Sequence, residues 1–128
     1  MFQSVEGMLQ LGEEKGLPLW RVVMEDDMID RSVTEEESFE MMTQMYQAMK
    51  EADEGYDKDL QSSSRLVGGD GAKMEQAIGE GKVSSGTFIG KVMARAIKMG
   101  ESNACMKRIV AAPTAGSCGV IPAVLISM

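Results

Sequence analysis

An all-α fold is what this sequence predicts, as an irregular bundle of about five or six helices. Three observations lead there. Apolar residues recur at three- and four-residue steps along most of the 128 residues. No stretch sustains the two-residue alternation of a half-buried strand. Helix punctuation (a capping box, a proline start and glycine stops) falls where the periodic runs break.

Val5, Met8 and Leu9 share one face of a first helix, which Gly16 should end. Pro18 can open the second helix, because the first turn does not need its missing N–H. Trp20, Val23, Met24, Met28 and Ile29 would form its apolar side, with Glu25, Asp26, Asp27 and Asp30 towards water. Thr34 and Glu37 stand at capping-box spacing. Behind them Phe39, Met42, Met45, Tyr46 and Met49 mark a third helix to about Glu54, stopped by Gly55. Residues 58–71 break the pattern with three serines and Gly68-Gly69. Asp70 can then cap a short helix through Met74, Ala77 and Ile78, ended by Gly79 and Gly81. Ser85 starts a long helix reaching about Glu101, with an expected buried stripe of Ile89, Val92, Met93, Ala96 and Ile97. An apolar segment, 120–126, closes the series.

Composition bounds the function. A chain of this length suits one domain with a real core. The apolar share of 44% is ordinary for a globular protein and argues against whole-chain disorder, and a formal charge of −7 argues against nucleic-acid binding, which needs a basic face. Thirteen methionines against three phenylalanines and one tryptophan point to a core of flexible side chains. The N-terminus lacks a signal-peptide pattern. Cys105 and Cys118 fit neither a disulfide framework nor a C-x-x-C spacing, so a reducing cytoplasm is the expected compartment.

Residues 109–128 form the longest uncharged run, long enough to cross a bilayer. Pro113, Gly116, Gly119 and Pro122 make a continuous lipid-facing helix costly, and no aromatic belts flank the run. Buried core is the reading. Its polar, small-residue start, Ala-Pro-Thr-Ala-Gly-Ser-Cys-Gly at 112–119, has few side chains between its backbone N–H groups and an approaching anion. A close-packed connection between two helices would need the same small residues, and the residues alone leave both readings open. The run's apolar end has no charged last turn or glycine cap, as expected of a fragment of a longer polypeptide.

The stretch Ser102-Asn-Ala-Cys-Met-Lys-Arg-Ile-Val-Ala-Ala-Pro-Thr-Ala-Gly-Ser-Cys-Gly-Val-Ile-Pro-Ala-Val-Leu closely resembles the alpha chain of the bacterial iron–sulfur L-serine dehydratases (L-serine ammonia-lyases). Ser64-Arg-Leu-Val-Gly-Gly-Asp-Gly-Ala-Lys73 and Ser85-Gly-Thr-Phe-Ile-Gly-Lys-Val-Met-Ala-Arg-Ala96 resemble the same family, in the same order. The first half fits the family's helical pattern without a motif of its own. The resemblance implies that residues 1–128 are the N-terminal part of the alpha-chain catalytic domain, which in the family continues well beyond this length. It implies deamination of L-serine to pyruvate and ammonia, with a beta chain or beta domain as partner in a homo- or hetero-oligomer. It also implies a [4Fe-4S] cluster whose iron acts as Lewis acid on the substrate hydroxyl, its ligand cysteines lying beyond Met128. The family uses the loop corresponding to 112–119 at its active site, which selects Thr114, Gly116, Ser117 and Gly119 as substrate-binding residues. Some relatives carry asparagine where Ala115 stands, so that side-chain contact is missing here. Ser64, Gly69, Asp70 and Lys73 are expected to support the site, without an assigned chemical step.

The other constellations are weaker. The chain has no histidine, so no Ser-His or Cys-His pair can be assembled from it. Neither Lys73 nor Lys82 sits in a Walker pattern. Cys105 and Cys118 read as two buried structural thiols, because relatives tolerate small residues at both positions and free cysteine is most often buried. The acidic group from Glu25 to Asp30 reads as a solvated helix face. No lysine stands in a context that demands a pyridoxal Schiff base. The catalytic base is unassigned, and no metal ligand is expected among these residues. The rival reading is a non-catalytic acidic helical module whose apolar end serves interaction or dimerisation.

Overall fold

The computed structural model describes residue 2, residues 4–112 and residues 114–128. Among them are six α-helices, a short 3-10 turn and no strand: α1 (Val5–Lys15), α2 (Leu19–Arg31), α3 (Glu35–Glu54), α4 (Asp70–Gly79), α5 (Gly86–Ala104), the turn Ala115–Ser117 and α6 (Val120–Ser127). The expected all-α fold is what forms. The chain divides into two compact units, residues 1–44 and 45–128, with the boundary inside α3.

In the first unit, Ser4 caps α1 by accepting from the Gly7 amide at 3.1 Å. Gly16 ends α1 in the left-handed region (φ 64°), and its N–H and that of Leu17 close back onto carbonyls of the last turn. A side chain on Gly12 would press on the Leu17 carbonyl, 3.1 Å from its Cβ, and on Val22 of α2. Val22, at 1% exposure, is the buried residue of α2. The stripe expected there is corrected: Trp20, Val23 and Ile29 are exposed, because α1 covers a neighbouring line of the helix. The Thr34–Glu37 capping box is present, each side chain accepting from the other residue's amide. Arg21 holds Glu35 through two parallel bonds of 2.6 and 2.7 Å, and Arg31 pairs with Asp27 one turn back.

In the second unit, α4 and α5 run antiparallel, with Gly71 against Lys98 and Ile78 against Gly90. A Cβ on Gly71 would lie 3.0 Å from the Lys98 backbone nitrogen. α6 reaches α5 at Gly119, where an added Cβ would stand 2.5 Å from the Ala96 carbonyl oxygen. Met99, Cys118, Pro122, Ala94 and Ala123 fill the space between, with Ala48 and Met49 of α3 also buried. The stripe expected for α5 is corrected too. Ile89, Met93 and Ile97 stay exposed, while Gly90, Ala94, Met99, Glu101 and Ser102 are buried. Neighbours approach α5 through its smallest residues, since close backbone contact needs a missing side chain more than an apolar one. On α3, Met49 is buried as expected, whereas Phe39, Met42, Met45 and Tyr46 are exposed.

Candidate functional site

The turn after residue 112 is built from its own small polar side chains. Ser117 Oγ accepts from the Thr114 amide at 3.3 Å and lies 3.1 Å from Thr114 Oγ1. The Ser117 amide returns to the Thr114 carbonyl at 3.1 Å. Asn103, in the last turn of α5, donates its side-chain amide to the Ala115 carbonyl at 3.1 Å. The N–H groups of Ala115 and Gly116 have no acceptor among the described residues. Pro113, the second residue of the expected loop, lies outside the described residues.

The glycines of this turn differ. Gly119 is buried against Ala96 and cannot gain a Cβ without moving a backbone carbonyl. Gly116 is exposed, and an added Cβ would meet only Thr114 Oγ1, at 3.9 Å. Its φ is not among the positive values of this chain either. Folding therefore asks for glycine at Gly119 and not at Gly116.

Residues 64–73 form a second constellation. Ser64 is exposed, its Oγ 3.1 Å from Ser62 Oγ, within a loop closed by the Ser62 amide on the Val67 carbonyl at 2.9 Å. Gly68 and Gly69 carry positive φ, and a Cβ on Gly68 would strike the Leu60 carbonyl. Gly69 rather than Asp70 occupies the cap of α4, a correction to the expected capping. The reason lies on α5. Glu101, buried at 5% exposure, accepts from the amides of Asp70 at 2.6 Å and Gly71 at 3.2 Å, so the helix start needs no local cap. The Asp70 side chain pairs instead with Lys73 at 2.7 Å, both exposed. Tyr56 also donates its hydroxyl to Glu101, at 2.7 Å. Burial, and then this bond to a carboxylate, push the Tyr56 phenol up to about 12.

Both segments thus hang from the end of α5, one on Glu101 and one on Asn103. Two residues turn a helix by about 200°, so the attachments point to opposite sides of it. The structure does not bring Thr114, Gly116 and Ser117 together with Ser64, Asp70 and Lys73. A groove of about 680 Å³, lined by Asp53, Thr87, Lys91, Arg95 and Lys98 among others, includes none of these residues.

Sequence reasoning missed Glu101, Tyr56 and Asn103 as the residues that place the loops. One signal was available: Glu101 sits near the C-terminal end of its own helix, where the dipole disfavours a carboxylate unless another partner compensates.

The two thiols do not fit an iron–sulfur cluster, which requires several thiolates around one centre. Cys118 is buried as expected, at 1% exposure, and burial pushes its thiol pKa up; Cys105 is only half-buried, a correction, and both are free. Among the described residues no group of three His, Cys, Asp or Glu could hold a metal ion. No described helix is long and apolar enough to cross a membrane.

Among the described residues the chain is all-helical, with a small-residue turn tied by Asn103 to the end of a long helix. The chain belongs to the family described as Serine dehydratase alpha chain, whose profile matches residues 14–128. It is 32% identical over 128 residues to the "Probable L-serine dehydratase, alpha chain" of Bacillus subtilis (strain 168), covering 100% of this chain and 43% of that protein. It is 29% identical over 128 residues to the "L-serine dehydratase, alpha chain" of Peptoniphilus asaccharolyticus, covering 99% of this chain and 44% of that one. The chain therefore spans less than half the length of these curated relatives. No solved structure matches it.

Proposed function

We propose that this chain serves an L-serine dehydratase by binding the substrate carboxylate at the Thr114–Ser117 turn. The overall reaction is L-serine to pyruvate and ammonia. Water leaves across the Cα–Cβ bond, the resulting enamine becomes an imine, and the imine hydrolyses, which returns the water. In that scheme Ala115 and Gly116 supply main-chain N–H donors to the carboxylate, and the Thr114 hydroxyl stands beside them. Ser117 fixes the turn, and Gly119 seats it on α5. Ser64 and Gly69 on the preceding loop, and Asp70 and Lys73 in the first turn of α4, support the site indirectly, through α5 and its Glu101. These residues provide no cluster ligand set, so the reading gives them substrate recognition and no metal step. A beta chain or beta domain is the partner in this reading, and the exposed Ile89, Met93, Val120, Val124 and Leu125 offer apolar surface for association.

The observation that carries the reading is Gly116, an exposed position where the fold tolerates a side chain and the sequence has none. The test is a titration of the ¹⁵N-labelled chain with L-serine. Saturable shifts at Ala115 and Gly116, absent with the amino alcohol that lacks the carboxylate, are the expected result. Shifts elsewhere in the chain, with this turn silent, overturn it.

A further inference from the structure

Asn103 makes the one side-chain hydrogen bond, among the described residues, between α5 and the backbone of the turn. The turn's other ties are internal, among Ala112, Thr114, Ala115, Ser117 and Cys118. Those bonds fix the shape of the turn but leave its orientation on the helix open. Gly119 anchors only the exit of the turn, at Ala96. Ala96 and Asn103 are seven residues apart, close to two full helical turns, so both anchors lie on one line of α5. With Gly119 at one end and the Ala115 carbonyl at the other, the direction of the Gly116 N–H group is set.

We propose that Asn103 is a positioning residue for the ligand-binding turn, orienting the Gly116 amide through the Ala115 carbonyl. The proposal rests on the reading of the turn as the carboxylate site. The carbonyl that Asn103 holds belongs to the peptide unit that ends in the Gly116 amide. Because a peptide unit is planar, a bond to its oxygen fixes where its N–H points. The Cys118 amide also reaches that carbonyl, at 3.4 Å, so removing the Asn103 donor leaves the unit held by this long internal bond alone. The loss falls on ligand orientation, while Glu101 continues to hold α4 on the opposite side of the helix.

The test compares Asn103→Ala and Asn103→Gln with the parent in the ¹⁵N-labelled 128-residue chain. Alanine removes the donor and favours the helix, while glutamine keeps an amide on a longer arm. In Asn103→Ala the Ala115 and Gly116 signals should shift or broaden, with Asp70 and Gly71 unmoved. L-serine should bind about fivefold more weakly, as for the loss of one ordinary hydrogen bond, and Asn103→Gln should recover part of this. In the assembled enzyme, the same substitution should raise KM by a similar factor with kcat nearly unchanged. Turn signals indifferent to Asn103→Ala overturn the proposal, as does general unfolding of that variant, which would make Asn103 a fold residue. Turn signals that move with Asn103→Ala but never respond to L-serine in the parent uphold the tie and remove the functional reading instead.

Discussion

Tyr56 donates its hydroxyl to Glu101 at 2.7 Å, and the same carboxylate receives the first two amides of α4. One buried group on α5 thereby ends one loop and starts one helix. Its negative charge is disfavoured near the C-terminus of α5 and favoured at the N-terminus of α4, and the three donors settle the balance.

Glu101→Ala should therefore be among the most damaging single changes in residues 45–128. It leaves two amides and a hydroxyl without their acceptor, at a cost of about 3 kcal/mol. Urea unfolding of the variant checks this, and Glu101→Gln, which keeps one acceptor oxygen, should cost less. A loss below about 0.5 kcal/mol would show that water replaces the carboxylate freely.

The Tyr56 phenol gives a pH signature at the alkaline end. Its folded value is raised to about 12, so its contribution is complete below the ordinary tyrosine value near 10. That contribution is lost as pH rises through the interval between the two, because the unfolded chain ionises first. An ultraviolet difference titration in a Tyr46→Phe background should find Tyr56 ionising near the upper limit. A midpoint near 10 would mean that the Glu101 contact does not persist in solution.

Gly116→Ala and Gly119→Ala should separate binding from folding. At Gly116 the new methyl meets only ordinary contact, so stability should change by less than about 0.5 kcal/mol while L-serine binding weakens. At Gly119 it strikes the Ala96 carbonyl, at an expected cost of about 2 kcal/mol or more. Thermal unfolding of both variants, with serine titration of the first, provides the measurement. Equal destabilisation of the two would remove the distinction.

Acid should loosen the first unit. Lys15 and then Arg21 hold Glu25 below the usual carboxylate range, Arg31 holds Asp27, and Arg21 holds Glu35. Each pair adds stability above the ordinary carboxylate pKa, lost as pH falls through the lowered folded values. Trp20, the only tryptophan, lies on α2 and reports on this unit through its fluorescence. Its emission should change below about pH 4, and less so in high salt, where exposed pairs are screened. A flat profile to strongly acid pH would show these pairs to be ornaments of the surface.

Much of this architecture was legible in the residues. Gly16, the Thr34–Glu37 box and Gly79 punctuate helices where they were expected, because caps and stops are local chemistry. The covered faces were harder to read. Apolar spacing finds the stripe Ile89, Met93, Ile97, but the neighbours of α5 arrive at Gly90, Ala94 and Ala96. Spacing along one helix does not say which line another backbone will approach. The turn at 114–117 was visible as small residues, whereas its two anchors were not, since Asn103 and Glu101 act across space. Gly119 and Gly116 look alike in the sequence and differ only once Ala96 is beside one of them.

At Gly71 and Gly119, α4 and the start of α6 bring their backbones directly against that of α5, and Ile78 of α4 packs into the gap left by Gly90. Contacts of that kind have little slack, so α5 cannot part from one neighbour gradually while keeping the other. Residues 70–127 should accordingly come apart in a single concerted melting step, with the slowest-exchanging amides of all three helices sharing one opening energy.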